Sequence, residues 1–330
     1  MEEKEILEFF EDFSQEKTLG FLELPQSGSS RKNYIVENSQ QKFVMTFNSN
    51  ISENQSFFYF SKLFSELNLN TPKIFKINSA ENLYIQSFLG NETLSEIIAK
   101  DGKTERVKLL VKQVLSHLFE LQKKSLGKVD YTKTFEYTSY NELPILNDLF
   151  YFKCFFIDVL ELPYQKSKLI SEFLELAKLL EKLQPRGLML RDFQARNIMV
   201  KENEVFFIDY QAAMEGPLMY DVISLLFQAK ANFSEDFKQE MLKFYLSKWE
   251  NEEVKNQLEN SIKPLQLIRF LQVLGAYGFR GLVQKKEHFL KSIEKGVKNI
   301  QNFAYSWDEI KNYPELEKLI FKLNCLKIKI

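Results

Sequence analysis

The chain has few of the residues that build disulfide frameworks, metal clusters and turn-rich sheets. Only two cysteines, two histidines and 11 glycines occur among its 330 residues. Cys154 and Cys325 are too few for a disulfide framework and lack metal-ligand spacing, which indicates a reducing compartment. His117 and His288 stand singly in helical patterns, where a satisfied or exposed histidine is commoner than a ligand.

A strong charge of either sign and a long apolar run are missing as well. The net charge is −1, so the chain has no basic field for a nucleic-acid backbone. Its N-terminus is charged where a signal peptide needs an apolar core. The most apolar run, residues 149–160, is interrupted by Lys153 and Asp158 and is too short to span a bilayer. We therefore expect a cytoplasmic protein with no nucleic-acid or membrane partner.

Phenylalanine, in contrast, is abundant. The chain has 31 Phe within a composition of 45% hydrophobic and 27% charged residues, the balance of a soluble globular protein. Many Phe and few Gly favour aromatic-rich helical packing over a turn-rich β architecture. A chain of this length exceeds the usual single-domain size, so we expect one large domain or two coupled domains.

The first 90 residues mix helical periodicity with the short apolar patterns typical of strands. They predict a small α+β lobe over residues 1–90, which ends at a hinge near Gln86–Gly90. The expected helices are 1–18 and 53–67, and the expected strands are 19–25, 34–37, 42–47, 73–77 and 82–88.

After Gly90, apolar residues recur at the three-to-four spacing of amphipathic helices. This predicts a larger, mainly helical lobe over residues 91–330. Gly275 and Gly278 are costly inside such a pattern and indicate close packing or a bend. The expected helices are 93–100, 104–123, 143–160, 167–183, 219–229, 235–249, 255–260, 265–282, 286–303 and 313–323.

Two apolar stretches near the middle of the chain deliver oxygen-bearing side chains in a fixed order. Residues 188–200 contain Asp192 and, five residues later, Asn197; residues 205–210 then deliver Asp209. Singly, each is more often a turn former or a helix cap. Together they match the Asp-x-x-x-x-Asn spacing and the following Asp of a kinase catalytic loop, in which a carboxylate receives a hydroxyl proton and hard oxygens hold Mg²⁺. The combination predicts phosphoryl transfer.

The segments Arg191–Met199, Ile208–Gln211 and Gly216–Leu226 resemble those of the aminoglycoside phosphotransferase-like kinases. Within that superfamily the chain looks most like the bacterial kinases that phosphorylate N-acetylmuramate and N-acetylglucosamine at the anomeric hydroxyl. Leu271–Leu282 also resembles a bacterial branch of such proteins. The resemblance implies an α+β, bilobal protein-kinase-like fold, ATP or GTP as donor, Mg²⁺ as cofactor, and a sugar or amino-sugar acceptor of cell-wall recycling.

The resemblance also assigns roles to residues of this chain. Asp192 takes the position of the catalytic base, and Asn197 and Asp209 take the metal positions. The segment 26–31 takes the place of the glycine-rich phosphate loop, although a tight β-hairpin would have the same pattern. The residues expected at the nucleotide are Gly28, Ser29, Ser30, Arg31, Gln86 and Phe88.

Acceptor specificity is expected from the helical lobe. Arg269 and Arg280 lie eleven residues apart, close to three helical turns, so they would share a helix face and could bind an anionic or amide-bearing sugar. Surface salt bridges are an equally good interpretation of both. Asp221 is expected to cap a helix that begins near Val222.

The chain departs from the kinase pattern at two positions. Met45 and Thr46 stand where the third strand usually carries a Lys, and Leu190 stands where the family often has His. Without that Lys, Glu53 is expected either to reach Arg31 or a metal-bound water, or to be an exposed helix N-terminal acid. Because of these departures, the chain could instead be a pseudokinase, that is, a regulator that binds nucleotide without catalysis. An aminoglycoside- or choline-type kinase is a further alternative.

Overall fold

The computed structural model of the protein describes residues 2–25 and 31–323. The chain divides into two compact units. The first unit comprises Met1–Thr138 and Leu190–Met214, and the second comprises Ser139–Met189 and Glu215–Ile330.

The strands are short, and most of them belong to the first unit. In chain order they are β1 (Gly20–Glu23), β2 (Lys32–Glu37), β3 (Lys42–Phe47), β4 (Ile74–Ile77), β5 (Leu83–Ser87), β6 (Glu92–Thr93), β7 (Arg186–Met189), β8 (Ile198–Lys201), β9 (Glu204–Phe207) and β10 (Met214–Pro217).

The helices dominate the second unit. They are α1 (Glu3–Ser14), α2 (Ile51–Glu66), α3 (Leu94–Asp101), α4 (Glu105–Ser125), α5 (Glu142–Phe152), α6 (Lys166–Glu181), α7 (Met219–Leu226), α8 (Glu235–Leu246), α9 (Glu252–Tyr277), α10 (Glu287–Tyr305) and α11 (Pro314–Lys322).

An antiparallel sheet with the strand order β1-β2-β3-β5-β4 organises the first unit. Side chains alternate across a strand, so Phe43 and Met45 of β3 point to one face together with Ile85 of β5. Helix α1 covers this face through Ile6 and Phe10, and the rings of Phe10 and Phe43 lie 5.6 Å apart. The apolar side of the predicted amphipathic helix therefore packs on one face of the sheet.

Helix α2 packs against residues from the opposite face of the sheet. The ring of Phe57 lies 5.4 Å from that of Tyr84 on β5 and 5.0 Å from that of Tyr210, which follows the β8–β9 hairpin. The Tyr210 hydroxyl shares a 2.7 Å hydrogen bond with Ser61 of α2. Aromatic packing thus joins the sheet, α2 and the end of the hairpin.

The β8–β9 hairpin is also held by segments on either side of residue 90. Strand β6 pairs with β8, and the backbone N–H of Phe207 donates to the carbonyl of Asn70 at 2.9 Å. Helices α3 and α4 contact the same hairpin. Because of these contacts, residues 91–138 and the hairpin group with the sheet, whereas the sequence predicted a boundary at residue 90.

The second unit is built around α9, a long helix that starts at an Asn251 cap whose side chain accepts from the N–H groups of Glu253 and Val254. The two helices predicted at 255–260 and 265–282 are one helix up to Tyr277, so that prediction was wrong. Pro264 lies inside it and removes a hydrogen bond. Pro264 and the residues that follow it are buried, and their packing offsets this loss.

Two π-helical segments, Lys153–Ile157 after α5 and Gly278–Val283 after α9, contact each other in the second unit. Their close approach explains the two glycines singled out in the sequence. A Cβ on Gly275 would lie 2.9 Å from the backbone nitrogen of Phe152, and one on Gly278 would lie 2.1 Å from the carbonyl oxygen of Phe155. The predicted close packing is confirmed.

The α+β class, with an antiparallel sheet in the first unit and a helical second unit, is confirmed. The sequence missed β6 and β10, since each is only two to four residues long and shows no alternation of its own. Across residues 2–25 and 31–323, no helix has the length and apolar character needed to cross a bilayer.

Replacing Gly278 by Ala is expected to lower the free energy of unfolding by about 3 kcal/mol, because the added methyl meets rigid backbone of the facing helix. Ala would otherwise favour a helix by about 1 kcal/mol over Gly. Urea denaturation measures the change. Gly20→Ala is the control, since its Cβ position meets only the flexible side chain of Glu37, at 3.3 Å, and it should leave the free energy of unfolding nearly unchanged. A Gly278→Ala protein as stable as the parent would contradict the close contact.

Candidate active site

The segment between β7 and β8 carries Asp192 on a sharply turned backbone. Arg191 has a φ of 68°, in the left-handed region that non-glycine residues seldom adopt. The backbone N–H of Asp192 donates to the carbonyl of Leu190 at 2.9 Å, and Gln194 donates from its backbone to the carbonyl of Asp192 at 3.0 Å. These bonds hold a tight loop, from which the Asp192 side chain remains 32% exposed.

Side chains of the same loop converge on the Asp192 carboxylate. Asn197 Nδ2 donates to the Asp192 carbonyl at 2.8 Å and to Oδ2 at 3.2 Å. Arg196 Nη2 donates to Oδ2 at 2.6 Å, and the Gln194 amide donates to Oδ1. The carboxylate is therefore oriented by three neighbours, one of which is a half-exposed cation. Because Asn197 uses its nitrogen inside the loop, its side-chain oxygen is the atom suited to a cation.

The β8–β9 hairpin sets the distance along the chain between Asn197 and Asp209. Its turn residues Glu202 and Asn203 both have positive φ, as a two-residue type I′ hairpin turn requires. Ile198 pairs with Phe207, and the N–H of Ile208 donates to the Asn197 carbonyl at 3.0 Å. Asp209 follows directly, so the strand register brings it next to the end of the loop that carries Asp192.

Asp209 is bound by a cation from a distant part of the sequence. Arg31, just before β2, donates from Nη2 to Asp209 Oδ1 and from Nη1 to Gln211 Oε1 at 3.3 Å. Gln211 Nε2 donates to the same Asp209 oxygen at 3.1 Å. The side chains of Arg31 and Asp209 are only 16% and 28% exposed. Both hydrogen bonds fall on Oδ1, so Oδ2 is the Asp209 oxygen that remains suited to a metal ion.

Glu53 completes this cluster from the first turn of α2. Its carboxylate lies 3.5 Å from Arg31 Nε and accepts from Asn48 Nδ2 at 2.9 Å. Asn50 caps the helix by accepting from the Glu53 N–H at 3.3 Å. Of the two alternatives for Glu53, contact with Arg31 is the one observed, and its side chain is 15% exposed.

Burial by itself would lower the pKa of Arg31, but the carboxylates around it, Asp209 foremost, raise this pKa above its ordinary value. The guanidinium therefore stays charged. In this cluster two carboxyl groups, those of Glu53 and Asp209, contact one cation, Arg31.

The third strand of the sheet, β3, has no cation at the position where kinases usually carry a lysine. Met45 is buried against α1, whereas Thr46 points to the α2 face. Thr46 donates to Asn33 Oδ1 at 2.8 Å, accepts from Gln86 Nε2 at 3.0 Å, and is hydrogen-bonded to Tyr84. Burial raises the pKa of Tyr84, so its hydroxyl is protonated. Thr46 is thus the residue that stands in the place of the missing Lys.

The remaining nucleotide candidates lie in different settings. Gly28, Ser29 and Ser30 fall outside the described residues. Gln86 lies within β5, with its side chain engaged by Thr46, whereas Phe88 follows the end of that strand. Of these two residues, Phe88 is the one that lies where the backbone has left the sheet.

The two candidate acceptor residues of the second unit lie in different surroundings. Arg269 is 7% exposed and donates to Tyr220 Oη at 3.0 Å and to Ser224 Oγ at 2.9 Å, which ties α9 to α7. Arg280 lies in the π-helical segment with its guanidinium 5.4 Å from the ring centre of Phe289. The sequence assumed one regular helix, whereas α9 ends at Tyr277, so the eleven-residue spacing does not give a shared face.

Asp221 is fully buried inside the first turn of α7. The helix begins three residues earlier than Val222, with Leu218 at the cap position. The expectation that Asp221 is the N-cap was therefore wrong.

Among residues 2–25 and 31–323, no three His, Cys, Asp or Glu side chains are grouped to hold a metal. A cation here would be held by Asp209 and the amide oxygen of Asn197, a sparse set of hard ligands. Such a set suits Mg²⁺, which usually takes one or two protein oxygens and completes its shell with phosphate and water.

Sequence reasoning missed several residues that shape the site. Gln194 and Arg196 lie inside the motif itself, two and four residues after Asp192, and their contacts with its carboxylate needed the loop geometry. Gln211 closes the motif segment Ile208–Gln211, but its contact with Arg31 needed the tertiary structure, and Asn48 carried no signal that could have identified it.

The family of this chain follows from its sequence match. Residues 22–255 match the model of the phosphotransferase enzyme family, which is more than half of the chain and includes Asp192, Asn197 and Asp209. The chain belongs to the phosphotransferase enzyme family. The predicted resemblance is confirmed.

One relative of this family member is an N-acetylmuramate/N-acetylglucosamine kinase from Neisseria meningitidis serogroup B. The two chains are 28% identical over 188 residues, which is 55% of this chain and 52% of the relative. The chain thus spans about half the length of that kinase in the match.

Solved structures of several small-molecule kinases share the fold. The choline kinase LicA from Streptococcus pneumoniae is 15% identical, with a TM-score of 0.63 over 91% of this chain and 99% of its own. An ethanolamine kinase from Plasmodium vivax is 17% identical, with a TM-score of 0.61 over 86% and 82%. The ADP-bound aminoglycoside phosphotransferase APH(2'')-Ib is 18% identical, with a TM-score of 0.59 over 91% and 97%. The kinase-like fold is therefore confirmed.

Replacing Thr46 by Val is expected to lower the free energy of unfolding by about 2 kcal/mol, because it leaves the buried Tyr84 hydroxyl and the half-buried amides of Gln86 and Asn33 without their partner. Chemical denaturation measures this change. Ile35→Val, on the neighbouring strand and the same face, controls for apolar truncation and should cost about 1 kcal/mol. An unchanged free energy of unfolding for Thr46→Val would show that the hydrogen bonds contribute nothing.

Proposed function

We propose that the chain is a nucleotide-dependent kinase that phosphorylates a hydroxyl of a small sugar, with N-acetylmuramate or N-acetylglucosamine as the leading acceptors. One observation supports it above the others. The catalytic-loop carboxylate of Asp192 is bonded to Asn197, and the hairpin register carries Asp209 next to Asn197, in the order used by kinases.

Asp192 is proposed to act as the base. Its carboxylate would accept the proton of the acceptor hydroxyl as that oxygen bonds to the γ-phosphorus and the bond to the β-phosphate oxygen breaks, releasing the nucleoside diphosphate. Gln194 and Asn197 hold the carboxylate in one orientation, so it need not reorganise during the reaction. Arg196, 2.6 Å from Asp192, would add positive charge beside the transferring group.

Asn197 and Asp209 are proposed to hold Mg²⁺ through side-chain oxygens. Bound there, the ion supplies charge neutralisation for the donor phosphates. The site described above offers the amide oxygen of Asn197 and Oδ2 of Asp209 for this task. The donor is ATP or GTP, for which Phe88 and the backbone beyond β5 are the proposed base contacts and residues 28–31 the phosphate contacts.

The amino-sugar acceptor is supported by the relative from Neisseria meningitidis, and choline and aminoglycoside acceptors by structural likeness alone. Of the two arginines considered for the acceptor, we retain Arg280. Arg269 is buried and committed to Tyr220 and Ser224, so its guanidinium is a brace between helices. Since nucleoside triphosphates and reduced thiols are found in the cytoplasm, that compartment remains our proposal for where the kinase works.

A pseudokinase regulator is the rival proposal, because Thr46 replaces the strand lysine. The two proposals predict different results for the same protein. A kinase transfers phosphate to an acceptor and loses this activity when Asp192 is replaced. A regulator binds nucleotide but transfers no phosphate.

Asp192→Asn is expected to reduce phosphate transfer from ATP to the best amino sugar by about 1,000-fold, since the amide cannot accept the hydroxyl proton. Radiolabelled phosphate transfer measures the rate, and calorimetry checks that nucleotide binding persists. Asp236→Asn, on the exposed start of α8, is the matched control and should keep the parent rate. If the parent protein binds nucleotide but phosphorylates none of the tested sugars, aminoglycosides or choline, the regulator is favoured.

Arg280→Ala is expected to raise the KM for N-acetylmuramate about tenfold and to leave that for N-acetylglucosamine within about twofold, because only the former carries a carboxylate. Steady-state kinetics with both sugars tests this. Lys291→Ala on α10 removes an exposed cation that pairs with Glu287 and serves as the control. An equal rise for both sugars would count against a carboxylate contact.

A further inference from the structure

The cation that kinases place on the third strand is absent from that strand, yet its usual partner is present. A kinase lysine on this strand pairs with a glutamate of the following helix and with the donor phosphates. Here β3 carries Phe43 and Met45 toward α1 and Val44 and Thr46 toward the other face, so no lysine of its central residues faces α2. Glu53 of α2 nevertheless has a cation beside it.

That cation is Arg31, which enters from the start of β2. Its Nε lies 3.5 Å from Glu53, and its two terminal nitrogens bond Asp209 and Gln211. One guanidinium therefore connects the helix acid with the carboxylate that follows the catalytic hairpin. In sequence, Arg31 is also the residue that closes the candidate phosphate segment 26–31.

We propose that Arg31 replaces the strand lysine, as the residue that binds the donor phosphates and positions Asp209. The proposal rests on the kinase activity proposed above. In this chain an Arg31–Glu53 pair takes the place of the lysine–glutamate pair of other kinases. The cation comes from the start of β2, and Thr46 occupies the position on β3 where the lysine would be.

The chemistry of arginine suits this task. A guanidinium presents five N–H donors in a planar fork, so it can contact carboxylate and phosphate oxygens in several directions, which a lysine ammonium with three donors does less well. A guanidinium stays charged at any working pH, and the Arg31 side chain is largely enclosed between Asp209 and Glu53, so its charge acts in a setting with little water.

The bonds around Asp209 are compatible with simultaneous metal binding. Arg31 and Gln211 both donate to Oδ1 of Asp209. A metal ion at Oδ2 therefore does not require Arg31 to leave. Arg31 fixes the carboxylate in one rotamer and lies beside any phosphate bound to that metal.

Nucleotide binding by variants of the full chain tests the proposal without any acceptor. Calorimetry with Mg·ATP and with adenosine gives separate dissociation constants for the phosphate and base contacts. Arg31→Gln is expected to weaken Mg·ATP binding at least 30-fold and adenosine binding less than threefold. Arg31→Lys, which keeps the charge but loses the fork, should weaken Mg·ATP about fivefold. Lys32→Gln removes the same charge one residue further along and should change neither constant more than twofold.

Moving the cation back to the third strand is the decisive variant. Arg31→Gln/Thr46→Lys is expected to recover at least fivefold of the lost Mg·ATP affinity, because the ammonium would lie on the face that Thr46 occupies. A merely structural Arg31 would not be rescued in this way. Arg31→Gln/Glu53→Gln, which also removes the unpaired helix acid, provides a folded protein if the single variant is unstable.

The outcomes separate the two proposals. If the parent binds Mg·ATP and the dissociation constants of the Arg31→Gln variants lie within threefold of the parent value, the proposed role of Arg31 is wrong and the kinase proposal stands. Equal weakening of Mg·ATP and adenosine would also overturn it, since a phosphate contact must distinguish the two. A parent protein that binds no nucleotide would overturn both proposals.

Discussion

The candidate active site depends on the ion pair between Arg31 and Asp209. These residues lie 178 positions apart in the sequence, yet the guanidinium and the carboxylate are in contact, and Glu53 also lies beside the arginine. Removing one partner of such an enclosed pair would leave a charge with little solvent to stabilise it. The sheet, α2 and the hairpin must therefore keep their relative positions for the pair to persist.

Aromatic packing supplies much of that constraint. Phe57 of α2 contacts both Tyr84 of the sheet and Tyr210 at the end of the hairpin, and the Tyr210 hydroxyl bonds Ser61. Burial raises the pKa of Tyr210, so its hydroxyl is protonated. Asp209 thus lies between residues fixed by packing on one side and by hydrogen bonds to Gln211 and Arg31 on the other. The abundance of aromatic residues noted in the sequence has its use here.

The second unit has a different kind of order. Its π-helical segments meet where Gly275 and Gly278 let two helices approach more closely than any side chain allows. Arg269 links α9 to α7 through buried hydrogen bonds and contributes structure. Arg280 lies on the π-helical segment, which gives it surroundings unlike those of Arg269. Acceptor recognition is proposed for this unit, and it is the part of the function for which the sequence carried least information.

The sequence by itself determined the local features. The spacing of Asp192, Asn197 and Asp209 predicted a kinase-like loop, and the structure places these residues around the β8–β9 hairpin, since a short two-stranded hairpin fixes its register through adjacent residues. Helical periodicity located most helices, although it split α9 at Pro264 because sequence cannot weigh buried packing against a lost backbone hydrogen bond. Only the tertiary structure decided that Arg31 meets Asp209 and Glu53. Contacts between residues far apart in the chain depend on how sheet, helix and hairpin pack, and no local pattern encodes that arrangement.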